Sequence, residues 1–199
     1  MLGHEGVTTA LYQSITHWLP QVAAQMRAEL SLTEQDLQIP GVEDIHPAPI
    51  DAIQIGRFPS LMIDEMETGP RTSTRSVASR GDLDTYLIRY KFRIWLWASD
   101  PRGVRETAVA IKRYATAVRT TLLVNKLLFD NDIESAVIDP KSFKESFSDV
   151  GQNKAKNYLA GSYIEFEIST TETLRAIGTT AGLSAKIGLH VGLMHELNT

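Results

Sequence analysis

The chain has 199 residues, with 20 Lys and Arg against 24 Asp and Glu, 43% hydrophobic residues and no cysteine. This is the composition of a folded globular chain and not of a disordered one, and one domain of this length buries roughly 70% of its unfolded surface without a covalent staple. The missing cysteines exclude a disulfide scaffold, thiolate zinc sites, iron–sulfur clusters and a cysteine nucleophile.

No uncharged apolar run approaches the roughly 20 residues of a membrane span, so no membrane partner is expected. The start, MLGHEGVTT, lacks the basic and apolar stretches of a secretory signal. The net charge of −4 hides a segregation. Residues 1–70 hold two basic and ten acidic side chains, residues 71–126 twelve and four, and residues 127–199 six and ten, giving −8, +8 and −4. Solvated faces account for such a pattern; so does a self-complementary surface, on which the basic part of one copy meets the acidic part of another.

Along residues 8–31, Leu11, Ile15, Trp18, Leu19, Val22, Met26 and Leu30 form one apolar helical stripe. Pro20 inside it predicts a kink or two short helices. Residues 32–57, with Pro40, Gly41, Pro47 and Pro49, read as an irregular connection. Phe58–Ile63 is a short strand candidate. Residues 64–83 read as a mobile loop carrying Arg71, Arg75 and Arg80, either a loose hairpin tip or an arm that orders against a partner or a nucleic-acid backbone.

Residues 84–99 give the clearest strand. Tyr86, Ile88, Tyr90, Phe92, Ile94, Leu96 and Ala98 alternate with Leu87, Arg89, Lys91, Arg93, Trp95 and Trp97. The even face belongs on helices. The odd face, basic and then aromatic, suits a protein interface or base stacking, unless the N-terminal helix covers the two tryptophans. Asp100 as N-cap and Pro101 at the first helical position predict a helix running to about Phe129. Its core stripe is Val104, Ala108, Ile111, Ala115, Val118 and Leu122, with Arg102, Arg105, Lys112, Arg113 and Arg119 facing solvent or a neighbour.

Residues 133–139 predict a short strand, 141–157 a polar connection, and 158–170 a last strand with Ile164, Phe166 and Ile168 inward. On its other face Tyr163, Glu165 and Glu167 are placed to pair with Arg89, Lys91 and Arg93 if the two strands are neighbours. The fold expected is α+β: a mainly antiparallel sheet of about four strands against two or more helices, in one domain over residues 1–170. The Gly-rich apolar stretch 171–199 is then a C-terminal extension touching another subunit or a partner.

Chemical motifs are sparse. Asp130, Asp132 and Glu134 have the first spacings of a calcium loop, but Ser135 and Lys141 stand where glycine and glutamate are needed. Asp139 and Lys141, with Asp130 or Asp132 upstream, loosely match a metal-dependent nuclease in which carboxylates hold Mg²⁺ and the lysine meets phosphate. His4, His17, His46, His190 and His195 show no metal-ligand spacing. No catalytic residue, metal or cofactor is expected.

The order of helix, irregular segment, strand FPSLMI, loop, strand TYLIRYKFRIWLWA, helix opened by DPRG, short strand and closing strand SYIEFEI resembles the tail-terminator (tail-completion) and neck proteins of tailed bacteriophages. The residues carrying the likeness are Phe92–Val104, the following helix through Leu128, and Tyr163–Ile168. The resemblance implies a virion protein assembled in the host cytoplasm as a ring, a hexamer, on the completed tail tube. Its partners are then further copies of itself, the major tail tube protein, the head–tail connector, and genomic DNA in passage without sequence-specific binding. It implies no catalytic site. Arg71, Arg75, Arg80, Arg89, Lys91, Arg93, Trp95 and Trp97 are the candidate interface residues. Another neck or head–tail adaptor protein, and the nuclease using Asp139 and Lys141, are the alternatives.

Overall fold

The computed structural model of the chain describes residues 3–49, 56–70, 79–80, 83–130, 134–152 and 157–175. In chain order they form helix α1 (Gly3–Glu29), strands β1 (Ile45–His46), β2 (Ser60–Pro70), β3 (Ser79–Arg80) and β4 (Leu83–Ser99), helix α2 (Val104–Val124), and strands β5 (Leu127–Asp130), β6 (Ser135–Ile138), β7 (Lys144–Phe147), β8 (Gly151–Gln152) and β9 (Tyr158–Arg175). A short 3₁₀ turn at Val42–Asp44 leads into β1.

The fold is α+β, as expected, but the sheet is larger and mixed. It runs β1-β2-β4-β9-β6-β5 across, and β3, β7 and β8 make nine strands in all among the described residues. β1 lies parallel to β2, so the expected sheet of about four mainly antiparallel strands is corrected in both size and sense. The long pair at the centre is antiparallel from Leu83↔Arg175 to Ser99↔Leu159. The far edge of β9 is lined in turn by β8, β7 and β6 as far as Thr171.

Both helices lie on the even face of β4. Leu11, Ile15 and Leu19 of α1 and Ile111, Ala115, Val118 and Leu122 of α2 are buried with Tyr90, Phe92, Ile94 and Leu96. On β9 the matching inward residues are Ile164, Phe166 and Ile168. The alternation read for both long strands is what the core uses, because a strand presents successive side chains to opposite faces.

Several boundaries differ from the sequence reading, each for a local reason. α1 is continuous through Pro20, with Pro20 on its exposed side; Trp18 and Leu30 of its stripe are exposed instead of buried. α2 begins at Val104, not at Pro101. The Asp100 carboxylate accepts the Arg102 amide at 2.9 Å, and Gly103 follows at φ 148°, which no helix contains. Those two features make a tight turn where a helix start was expected. The same helix stops at Val124, and the residues read as its end become β5.

β2 runs through residues 64–70, read as loop, because β4 offers it partners as far as Ile88. In the same way β7 and β8 stand in a stretch read as connection. β9 continues past residue 170 to Arg175, so residues 171–175 belong to the sheet and not to an extension.

Part of the charge segregation is answered inside one chain. Arg102 and Arg113 of the basic middle reach Asp36 at 3.2 and 3.6 Å. Arg89 reaches Glu167 at 3.0 Å and Arg119 reaches Glu145 at 3.1 Å, and Arg93 pairs with Glu165. Strand β4 and helix α2 thus draw carboxylates from both acidic flanks.

Candidate interaction face

Since α1 and α2 occupy the even face of the sheet, the odd residues of β4 point away from both. Arg89, Lys91, Arg93, Trp95 and Trp97 therefore form one row on the outer face, as their alternation predicts. Their strand neighbours continue it. On β9 the register sets Glu167 opposite Lys91, Glu165 opposite Arg93, Tyr163 opposite Trp95 and Gly161 opposite Trp97. On β2 it sets Asp64 opposite Arg93 and Met62 opposite Trp95.

The row has an ionic half and an aromatic half. In the ionic half, Arg93 donates through Nε to Glu165 Oε1 at 3.0 Å, and Arg89 reaches Glu167. This is the pairing anticipated for Glu165 and Glu167 from their common strand face. The Arg93 guanidinium holds the Glu165 carboxyl below the ordinary carboxylate range, more than burial raises it.

In the aromatic half, Trp95 and Trp97 stack with ring centroids 6.2 Å apart and planes 14° from parallel. Tyr163 meets Trp95 edge-on at 5.4 Å. Arg93 joins the two halves, its guanidinium carbon 4.7 Å from the Tyr163 centroid and 5.1 Å from that of Trp95. A cation above ring faces is attracted by their quadrupole, and a stacked guanidinium keeps its in-plane N–H groups free for a carboxylate.

Both tryptophans are half-buried by one another and by their strand neighbours, not by the N-terminal helix. What this face can do chemically is bind. It offers flat aromatic area rimmed by fixed charges, the make-up of an interface centre. Sequence reasoning missed Met62, Asp64 and Gly161, which alternation within one strand cannot reveal; only the register between strands brings them in.

Of the other candidates, Arg80 lies in β3, its backbone opposite Leu83, and Arg71 and Arg75 fall outside the described residues, as do Asp132 and residues 176–199. Asp139 and Lys141 do meet, in an open groove also lined by Lys91, Ser142, Lys144, Glu165 and Glu167. There Asp139 accepts the Lys141 amide at 2.9 Å, which pins the turn between β6 and β7. Asp130 sits apart on β5, and Glu165 and Glu167 are each held by an arginine. Among the described residues no group of three or more His, Asp or Glu is placed to hold a metal ion.

No helix among the described residues is long and apolar enough to cross a membrane. No protein-family model matches this chain, and no curated protein matches it.

Proposed function

We propose that this chain is a structural protein of the tailed-phage head–tail junction, similar to tail terminators, and that it assembles into a ring, a hexamer, that caps the tail tube and meets the head connector. Its place is then the virion neck, reached by assembly in the host cytoplasm, with genomic DNA passing through the ring. The outer sheet face from Arg89 to Trp97 carries this reading. It is a preformed binding surface on the side of the sheet away from both helices. The order of elements adds support, with a long central strand, the following helix and a long closing strand forming one α+β unit.

On this reading the aromatic half supplies apolar contact area and the fixed ion pairs supply register and selectivity. A ring requires two different patches on each copy that meet head to tail. Native mass measurement of the purified protein, alone and with tail tubes, tests the proposal. A closed oligomer that caps tube ends supports it, and a strict monomer that never binds tube ends overturns it. Lys91→Glu, checked for folding by circular dichroism, weakens capping if this face is the contact; capping unchanged at low and high salt removes the face from the interface.

A further inference from the structure

Exposed apolar surface is concentrated in one stretch of seven residues, where Leu123 is 36%, Val124 69%, Leu127 54% and Phe129 36% exposed. The stretch ends α2 and makes β5, the last strand of the sheet, which pairs only with β6 among the described residues. An edge strand with unpaired backbone groups beside exposed apolar side chains is a template for another strand.

The chain beyond Arg175 contains a segment of matching pattern. In Ile187-Gly188-Leu189-His190-Val191-Gly192-Leu193 every second residue is large and apolar, with glycine or histidine between. That is the period of a strand with one apolar face.

The topology puts the start of this tail within reach. Thr171 of β9 pairs with Ser135 of β6, and Ser135 pairs with Asp130 of β5. β9 therefore leaves the sheet at the end where β5 also finishes, and a segment turning back beside β5 runs antiparallel to it. A strand outside β5 lies three spacings from β9, about 14 Å. The intervening residues 176–186 span up to about 36 Å when extended.

We propose that residues 187–193 add to the edge of β5 away from β6 in their own chain as an antiparallel strand, covering Val124, Leu127 and Phe129. A tail from a second copy competes against a segment already tethered nearby, at an effective concentration on the order of millimolar, which favours the chain's own tail. This inference does not depend on the head–tail reading.

Hydrogen–deuterium exchange on the full-length protein tests it, with solution mass measured in parallel for the full chain and for the double variant Leu189→Asp/Val191→Asp. The expected result is that amides of Leu127–Asp130 and of 187–193 exchange at least tenfold more slowly in the full chain than in the variant, at the same solution mass. Unprotected amides at 187–193 overturn the proposal, as does protection of β5 that survives in the variant. Loss of protection together with a fall in mass places the tail on a second copy and overturns it equally.

Discussion

Trp97 lies directly across the central strand pair from Gly161, and no other residue there gives the indole the same room. A Cβ at 161 would touch Trp97 Cδ1 in ordinary contact at 3.7 Å but press on Ser148 Oγ at 3.3 Å. That hydroxyl accepts the Gly161 amide at 2.9 Å and so ties the loop after β7 to β9. Gly161→Ala is therefore absorbed by a small shift of Ser148. Gly161→Val drives its branches toward the indole and costs about 1–3 kcal/mol, the usual penalty of overpacking. Urea unfolding measures the loss, and a shift of tryptophan emission in the folded protein locates it at Trp97.

Arg93 and Glu165 are both largely shielded, at 24% and 12% side-chain exposure, and Arg93 also covers two rings. Arg93→Met keeps much of the stacking but leaves Glu165 without its cation. Glu165 has its folded pKa lowered by Arg93, so the pair's contribution is present above the unfolded carboxyl range and fades as pH falls through the folded value. Arg93→Met is expected to cost about 1 kcal/mol at pH 7, and less at pH 3. Parallel unfolding curves of the two proteins across that range check the sign; an equal loss at both pH values shows that packing, not charge, is what Arg93 supplies.

The central strands were legible because the inward face of each is apolar at every second residue through its middle while the outer face is not. Tyr90, Phe92, Ile94 and Leu96 could only face a core, and Glu165 and Glu167 could only face the arginines once β4 and β9 were neighbours. β7 was not legible for the opposite reason. Lys144-Glu145-Ser146-Phe147 has no alternation to read and is a strand because β9 offers it a free backbone edge. β2 past Ile63 follows the same rule. The start of α2 failed differently: Asp100 has the residue type of an N-cap, but its carboxylate is spent on Arg102 two residues on, through both the amide and the guanidinium. Local competition of this kind cannot be seen in a list of favourable residue types.

Arg102 binds two carboxylates from different parts of the chain, Asp100 at 2.7 Å and Asp36 at 3.2 Å. Both acids are shifted down. Asp36 is lowered to about 2, first by the Thr33 hydroxyl and amide and then by Arg102, and Asp100 is lowered mainly by Arg102. Their contribution to stability is full above the ordinary value of 3.8 and is lost as pH falls toward 2. Arg102→Ala is expected to flatten stability against pH in that window, and more through Asp100 than through Asp36, which keeps Thr33. Carboxyl titration by NMR separates the two: Asp100 moves up clearly while Asp36 stays depressed. Asp36 returning fully to 3.8 assigns the effect to Arg102 alone.

Glu172 poses the sharper energetic problem, because it is a carboxylate at 2% exposure with no cation among its hydrogen-bond partners in the described residues. It accepts the Tyr90 hydroxyl at 2.6 Å, the Thr170 hydroxyl at 3.0 Å and the Gly3 amide at 3.2 Å. Gly3 opens α1, so the positive end of the helix dipole also faces it. The same contact, with burial as the larger cause, raises the Tyr90 phenol. Tyr90→Phe removes the shortest of these bonds and leaves a buried acceptor short of a donor, which costs about 1–3 kcal/mol. If that penalty is the carboxylate's unmet demand and not lost packing, Tyr90→Phe made in a Glu172→Leu background costs much less than in the native chain. A double-mutant cycle by urea unfolding decides it. Additive losses mean that the Tyr90 hydroxyl contributes independently of Glu172, and that the carboxylate is satisfied by the Thr170 hydroxyl and the Gly3 amide without it.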